Sequence, residues 1–412
     1  MKTNLFIIGM AFVLFMMWGC KDSDTTTELI VDTEVLEATS DGGVVTIHVT
    51  CNKVAKATIE YDNPAESGWI FMLPTVLLNG NGILELRVQS YAGILTNRNA
   101  TITIAAENES KTVKLTQLAK ESAGFSREGI VASDNAKSYT VTVTCNTTWN
   151  ATVNSEAASW CTLANTTGGQ GENPLTVNVA ALSGSGAFES RSRLATITVS
   201  TGKVSATLKV YQGFGEMING LYWAYCNVGE PGQFSNGPDD PGLLYQYNSR
   251  IGYPIEGGVP AGYPTGYVDN GVSTWTDEQN PSPGGWRVPT AAEIDALVGS
   301  DEDKNFVWAQ PEASGFNKAG IIAGIPPAEA SQATKIDLRG GIFIPISGYR
   351  HVETGVLTSA WNVVLQSITR PGQNWDRYMY GFWDYGMYKY GGGPDGSNRS
   401  ALPIRCVADI TE

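Results

Sequence analysis

Hydrophobic and polar positions alternate with period two along a set of short segments, and the whole set occurs twice. Val45-Thr46-Ile47-His48-Val49-Thr50-Cys51-Asn52 is followed about 94 positions later by Thr140-Val141-Thr142-Val143-Thr144-Cys145-Asn146. Arg98-Asn99-Ala100-Thr101-Ile102-Thr103-Ile104 recurs as Arg193-Leu194-Ala195-Thr196-Ile197-Thr198-Val199. Each copy closes on an alternating segment ending in glutamine, Val113 to Gln117 and Leu208 to Gln212. Apolar residues, many of them β-branched, alternating with Thr, Lys and Ser give the half-buried strand pattern. A period near 90 residues with several strands per copy predicts two β-sandwiches, not a solenoid of small units. Parity places Ile47, Val49 and Cys51 on one face, and Val141, Val143 and Cys145 likewise, so these cysteines are expected inside, packing as small hydrophobes. Pairing of Cys145 with Cys161 stays open, because the first copy has Ile70 at the matching position. Trp69 and Trp160 lie in apolar strand contexts and read as core plugs. His48 falls on the threonine face and reads as solvated.

After Gly213 the pattern changes: aromatic residues crowd in, and Gly and Pro recur every few positions. Thr290, with Glu293 three residues later, forms a capping box and predicts a short helix whose Ile294 and Leu297 face the core. Phe343-Ile344-Pro345-Ile346 predicts a buried strand. Gly237-Pro238-Asp239-Asp240-Pro241 lacks the alternating oxygen ligands of a calcium loop and reads as a turn. The richest stretch runs from Asn374 to Gly393, with a hairpin turn predicted at Asp384 to Gly386. Half of any strand faces inward, so half of its rings are expected in the core. Tyr385, Tyr388 and Tyr390, around the turn, are the surface candidates, with Trp375 and Asp376 as a polar-aromatic rim. Such rings with polar tips stack on sugar faces or anchor a protein partner at low entropic cost.

Length and charge then narrow the classes. A chain of 412 residues suggests about three domains, and 42% hydrophobic content with 46 glycines describes globular, turn-rich modules. A net charge of −14 argues against a nucleic-acid partner, which wants a basic stripe. No stretch beyond the N-terminus approaches the ~20 apolar residues that span a bilayer. His48 and His351 are the only histidines, no Cys-x-x-Cys occurs, and no metal or cofactor is expected. Asp301, Glu302 and Asp303 read as a solvated charge run. Gly391-Gly392-Gly393 leads into Pro394 rather than a phosphate-binding helix. No catalytic constellation stands out, and an enzyme is not expected.

At the N-terminus, Met1-Lys2-Thr3-Asn4 precedes an apolar run from Leu5 to Trp18 and then Gly19-Cys20. Met17-Trp18-Gly19-Cys20 resembles the lipobox of bacterial lipoproteins, departing from it at Met17 and Trp18. The resemblance implies cleavage before Cys20 and its lipidation. Lys21-Asp22-Ser23-Asp24 resembles the acidic signal that directs Bacteroidota lipoproteins to the outer face of the outer membrane. Two or three acyl chains on one cysteine anchor a protein stably.

Both sandwich copies resemble BACON domains. The features that carry this are the strand ending in Cys-Asn, Asn146-x-x-Trp149, the second tryptophan (Trp69, Trp160), Arg-x-Ala-Thr-Ile-Thr and the terminal Gln. Copy one departs with Ala55 in place of the first Trp. The family name implies glycan binding, though such domains also serve as spacers. The remainder resembles the Fibrobacter succinogenes major paralogous domain. Here the carrying residues are Leu221 to Gly229, Gly285-Trp286-Arg287-Val288-Pro289-Thr290, Ser347-Gly348-Tyr349-Arg350 and Arg405-Cys406-Val407, in family order. That resemblance implies a C-type-lectin-like fold. Where the pattern often carries Cys, this chain has Ser282, so Cys406 loses its usual partner. Since a lectin-like fold brings its first and last strands together, the resemblance implies a Cys226–Cys406 disulfide.

The expected class is mostly β: two immunoglobulin-like β-sandwiches followed by an α+β C-type-lectin-like domain. The expected order is a signal peptide over 1–19, a tether over 20–29, sandwiches over 30–118 and 119–213, and the lectin-like domain over 214–412. The expected function is non-enzymatic: adhesion or glycan binding at the cell surface through the last domain. A structural or accessory subunit of a surface protein complex, and carbohydrate binding by the BACON-like pair, are the alternatives. The expected partners are an extracellular glycan or surface protein, with the outer membrane reached through the lipid.

Overall fold

The computed structural model describes residues 26–77, 81–94, 96–183, 188–264, 275–300, 303–351, 353–358, 363–366, 377–383, 386–391 and 400–410. Cys20, Trp375, Asp376 and Tyr385 lie outside the described residues. The chain divides into two compact units, Met1–Lys120 and Glu121–Glu412.

The first unit is a two-sheet sandwich. One sheet orders Leu29–Val31, Gly43–Cys51, Gly82–Val88 and Ile70–Leu73. The other orders Val35–Ala38, Glu109–Gln117, Arg98–Ala106, Ala55–Tyr61 and Val76–Leu77. Period-two alternation decides which side chains meet between the sheets: Ile47, Val49, Cys51, Leu84 and Leu86 from one, Ile102, Ile104, Val113 and Leu115 from the other. Burial of that many branched side chains, each worth about 1.5–3 kcal/mol, holds the sandwich together.

The second unit opens with the same plan. Its sheets order Ala123–Phe125, Lys137–Cys145, Gly171–Val179, Cys161–Leu163, and Gly129–Ala132, Ser205–Gln212, Arg193–Ser200, Trp149–Val153, Thr167–Gly168. In both copies the short first strand of the five-stranded sheet runs parallel to the last strand, Val35 opposite Lys114 and Gly129 opposite Lys209. The sequence repeat is therefore a topological repeat of immunoglobulin-like sandwiches. Cys51 and Cys145 are buried, as parity required.

Beyond Gly213 the second unit continues through small sheets around a shared interior. Tyr211, at the end of the second sandwich, packs edge-on against Phe214, Phe234 and Trp286 at 5.2, 5.8 and 6.4 Å between centroids. Val131 joins the same apolar cluster, so the sandwich and the C-terminal part share a core. Strands Phe306–Ala309, Gly320–Ala323 and Ile342–Pro345 form one sheet. The helix Ala291–Val298 begins at the Thr290–Glu293 capping box, with Ile294 and Leu297 buried. Arg287 adds a bidentate ion pair to Glu293 at 2.7 and 2.9 Å. Leu221–Asn227 pairs antiparallel with Arg405–Ala408, so the beginning and the end of this part meet.

The pairing does not join Cys226 to Cys406. Both are buried thiols, and a register irregularity lies between Trp223 and Asn227. This bulge turns Cys226 into the cluster of Trp223, Tyr225 and Val407, whereas Cys406 sits with Tyr222 and Ala224 on the other face. Side chains on opposite faces of a sheet point apart, which a disulfide does not tolerate. The bridge expected from the resemblance is not formed.

Candidate functional site

The residues that mark the repeat form an internal lock. In copy one, Arg98 Nε donates to Gln117 Oε1 at 2.9 Å, and Gln117 Nε2 donates to the carbonyls of Thr39 and Gln89 at 3.0 and 2.7 Å. The guanidinium lies over the Trp69 ring at 4.5 Å. In copy two, Arg193 Nε reaches Gln212 Oε1 at 2.7 Å, Gln212 Nε2 reaches the carbonyls of Ser133 and Ala180, and Arg193 covers Trp160 at 4.4 Å. A buried amide with both ends satisfied ties three strand ends together, and the cation seals the tryptophan beneath it. Both tryptophans are plugs and neither offers a stacking face. A cavity beside Trp69 and Arg98 measures about 210 Å³, below the roughly 300 Å³ at which ligand pockets begin.

The landmark residues of the last part are also struts. Arg350 is fully buried, with Nε on the Pro254 carbonyl at 2.8 Å and a terminal nitrogen on the Gly355 carbonyl at 2.8 Å. Arg405 donates to the carbonyls of Ala224, Tyr225 and Phe343, and burial pulls its pKa down to about 10. The Asp239 turn is fixed by Asn317, whose backbone and side-chain nitrogens approach Asp239 Oδ2 at 3.0 and 2.6 Å. His48 is exposed and pairs with Asp32 at 2.7 Å. Among the described residues no group of three or more His, Cys, Asp or Glu is placed to hold a metal.

Of the five predicted ligand residues, Tyr388 and Tyr390 fall on a described strand, Gly386–Gly391. It is the edge of a sheet ordered Val363–Gln366, Arg377–Trp383, Gly386–Gly391. Trp383 faces Gly386 in register, so the two strands form the predicted hairpin. Gly381 pairs with Tyr388 and with Val364, and Met379 pairs with Tyr390 and with Gln366. Tyr388 and Tyr390 thus stand in the same cross-strand rows as Val364 and Gln366. Gln366 is fully buried, and neither its Nε2 nor its Oε1 has a hydrogen-bond partner among the described residues. Sequence reasoning missed this residue, since nothing in Val-Val-Leu-Gln marks an unsatisfied amide.

Sequence reasoning also missed a joint. Arg191, on the short helix Phe188–Arg191, is ion-paired with Asp134 and lies 4.0 Å from Glu216. Tyr225 Oη donates to Glu216 Oε2 at 2.6 Å, and Phe188 meets Phe214 and Tyr225 edge-on at 5.6 and 5.8 Å. Burial, and then the Glu216 carboxylate, push the Tyr225 hydroxyl well above its usual range, so it stays a donor.

Comparison with known proteins finds a family match within the second sandwich. Residues 147–213 match the BACON family, described as "Putative binding domain, N-terminal". No curated protein matches the chain in sequence. Among solved structures, a Bacteroides ovatus GH5 xyloglucanase in complex with a XXXG heptasaccharide is similar over 23% of this chain and 20% of that one, at 20% identity and a TM-score of 0.20. An I-band fragment of titin is similar over 45% of this chain and 64% of its own length, at 15% identity and a TM-score of 0.33. The D00-D0 domain of intimin is similar over 45% and 98%, at 9% identity and a TM-score of 0.30. The chain therefore spans less than two thirds of the first two of these structures.

Proposed function

We propose that the protein is a non-enzymatic surface lipoprotein, anchored in the outer membrane through Cys20, that binds an extracellular glycan or surface protein. In this reading the sandwiches hold the last, C-type-lectin-like part away from the membrane. Contact is made around the hairpin of Arg377–Trp383 and Gly386–Gly391, by Trp375, Asp376, Tyr385, Tyr388 and Tyr390. The observation that carries the reading is Gln366: an amide shut from solvent, with both ends unpartnered among the described residues, lies in one row with Tyr390. An unsatisfied buried amide costs about 1–3 kcal/mol, and a polar ligand that reaches it recovers that cost. The 147–213 match to a binding-domain family supports the same class. Weak single contacts on a lipid-anchored protein gain from multivalent display.

Glycan-array binding by the full chain, lost on combining Trp375→Ala with Tyr388→Ala, tests the contact site. Undiminished binding by that double variant rejects it, and co-purification of one dominant protein in place of a glycan selects the accessory-subunit reading. Incorporation of labelled palmitate, abolished by Cys20→Ala, tests the anchor.

A further inference from the structure

A cavity of about 450 Å³ opens in the second unit beside the helix Phe188–Arg191, lined by none of the ligand residues assigned above. Its size falls inside the roughly 300–1,000 Å³ typical of small-ligand sites. Phe188 and Arg191 form one wall, Glu216 and Tyr225 contribute from the strands just beyond the sandwich, and the turn from Lys335 to Gly340 closes the other side. The helix belongs to the connection over residues 180–192, where copy one makes the equivalent link with residues 89–97. Copy two thus carries about four extra residues at the point where this wall is built.

The charges along the walls are not equally engaged. Glu216 is held by Tyr225 and neighboured by Arg191. Asp337 Oδ1 accepts from the Arg339 backbone N–H at 3.0 Å, and Arg191 is ion-paired with Asp134. Arg339 differs. Its Nε lies 3.8 Å from Asp337 Oδ2, its terminal nitrogens have no acceptor among the described residues, and its side chain is 45% exposed. Its backbone is left-handed at φ 52°, as is that of Gly340 at φ 83°, and the Gly341 N–H closes the turn on the Leu338 carbonyl at 2.9 Å, which sets Arg339 among the residues that line the cavity.

We propose that this cavity binds a small carboxylate-bearing ligand, with the Arg339 fork taking the carboxylate and Phe188 and Tyr225 bordering the remainder. The fork matches a carboxylate in a bidentate, charge-assisted geometry. Glu216 is committed to Tyr225 and Arg191, whereas the terminal nitrogens of Arg339 keep their donors available for a ligand oxygen. A uronic sugar and the C-terminus of a short peptide both present this group.

Calorimetric titration of the full chain tests the assignment with two matched pairs: glucuronate against glucose, and an N-acetyl dipeptide acid against its amide. The acid of at least one pair should bind, its neutral counterpart should not, and the pair that responds names the source. Arg339→Gln should weaken that binding about tenfold or more, as loss of a bidentate pair does, while Arg339→Lys retains part of it. Equal binding of acid and neutral forms, unchanged affinity in Arg339→Gln with an unaltered melting temperature, or binding of neither acid overturns the proposal. The Trp375→Ala, Tyr388→Ala double variant should leave this binding intact, so failure here and failure of the hairpin site are separate results.

Discussion

Cys406 Sγ lies 3.3 Å from Ser282 Oγ, and both residues are buried. Burial pushes the Cys406 thiol up to about 12, against the opposing pull of the Ser282 hydrogen bond and of Arg405, so it stays protonated and unreactive. Ser282 thus stands within reach of Cys406, with oxygen where a second sulfur would close a bridge.

Ser282→Cys should accordingly form a disulfide with Cys406, while Cys226, on the other sheet face, keeps its thiol. The link would span 124 positions, a loop for which the chain-entropy model gives nearly 5 kcal/mol of stabilisation as an upper figure. Peptide mapping under non-reducing conditions and a melting temperature that falls on adding reductant check it. A variant whose two thiols both remain titratable rejects the geometry.

Gln212→Ala should destabilise the second sandwich by about 2–3 kcal/mol, because it strands the Ser133 carbonyl and the Nε of Arg193 together, while the Ala180 carbonyl keeps its bond from the Arg193 terminal nitrogen. Gln212→Glu should be no milder, since a carboxylate cannot donate to those carbonyls. Urea unfolding measures both. A change below about 0.5 kcal/mol in each would show that the lock is ornamental.

Tyr211→Ala removes the ring shared by the second sandwich and the C-terminal part. Loss of a buried aromatic costs about 3–5 kcal/mol, and here the cost falls on the joint. Calorimetry of the variant should show the single transition of Glu121–Glu412 split into two. One unsplit transition at lower temperature would mean that the two parts stay coupled without it.

Glu293 gives a pH signature. Burial raises its carboxyl pKa, but the Arg287 ion pair and the Thr290 backbone hydrogen bond outweigh burial and hold it below its ordinary value. A depressed folded value means stability that is fully present above the unfolded carboxylate pKa near 4.3 and is lost as pH falls through the folded one. Glu293→Gln should cost about 1 kcal/mol at neutral pH, and its difference from the parent should shrink below pH 4. A difference that is constant from pH 7 to pH 3 excludes the charge as its origin.

The sandwiches were legible because alternation is local: Ile47, Val49 and Cys51 announce a buried face without any partner strand being known. The capping box at Thr290 was legible for the same reason. The fate of Cys226 was not, since a bulge exists only relative to a paired strand and leaves no mark in Leu-Tyr-Trp-Ala-Tyr-Cys-Asn. Arg350 and Arg405 were legible only as motif residues; the backbone carbonyls around them reveal their role as internal braces. Phe188, Arg191 and Arg339 drew no notice, because their company comes from segments far apart in the chain.

The closing strand carries a consequence for biogenesis. Arg405–Ala408 is hydrogen-bonded to Leu221–Asn227 and wholly interior, so a nascent chain that has emerged only to residue 400 lacks a central piece of this interior. The sandwich of the first unit contains every strand it needs within its first 120 residues and can mature early. Its downstream neighbour must wait, exposed to chaperones and proteases, until residues 405–408 have been made.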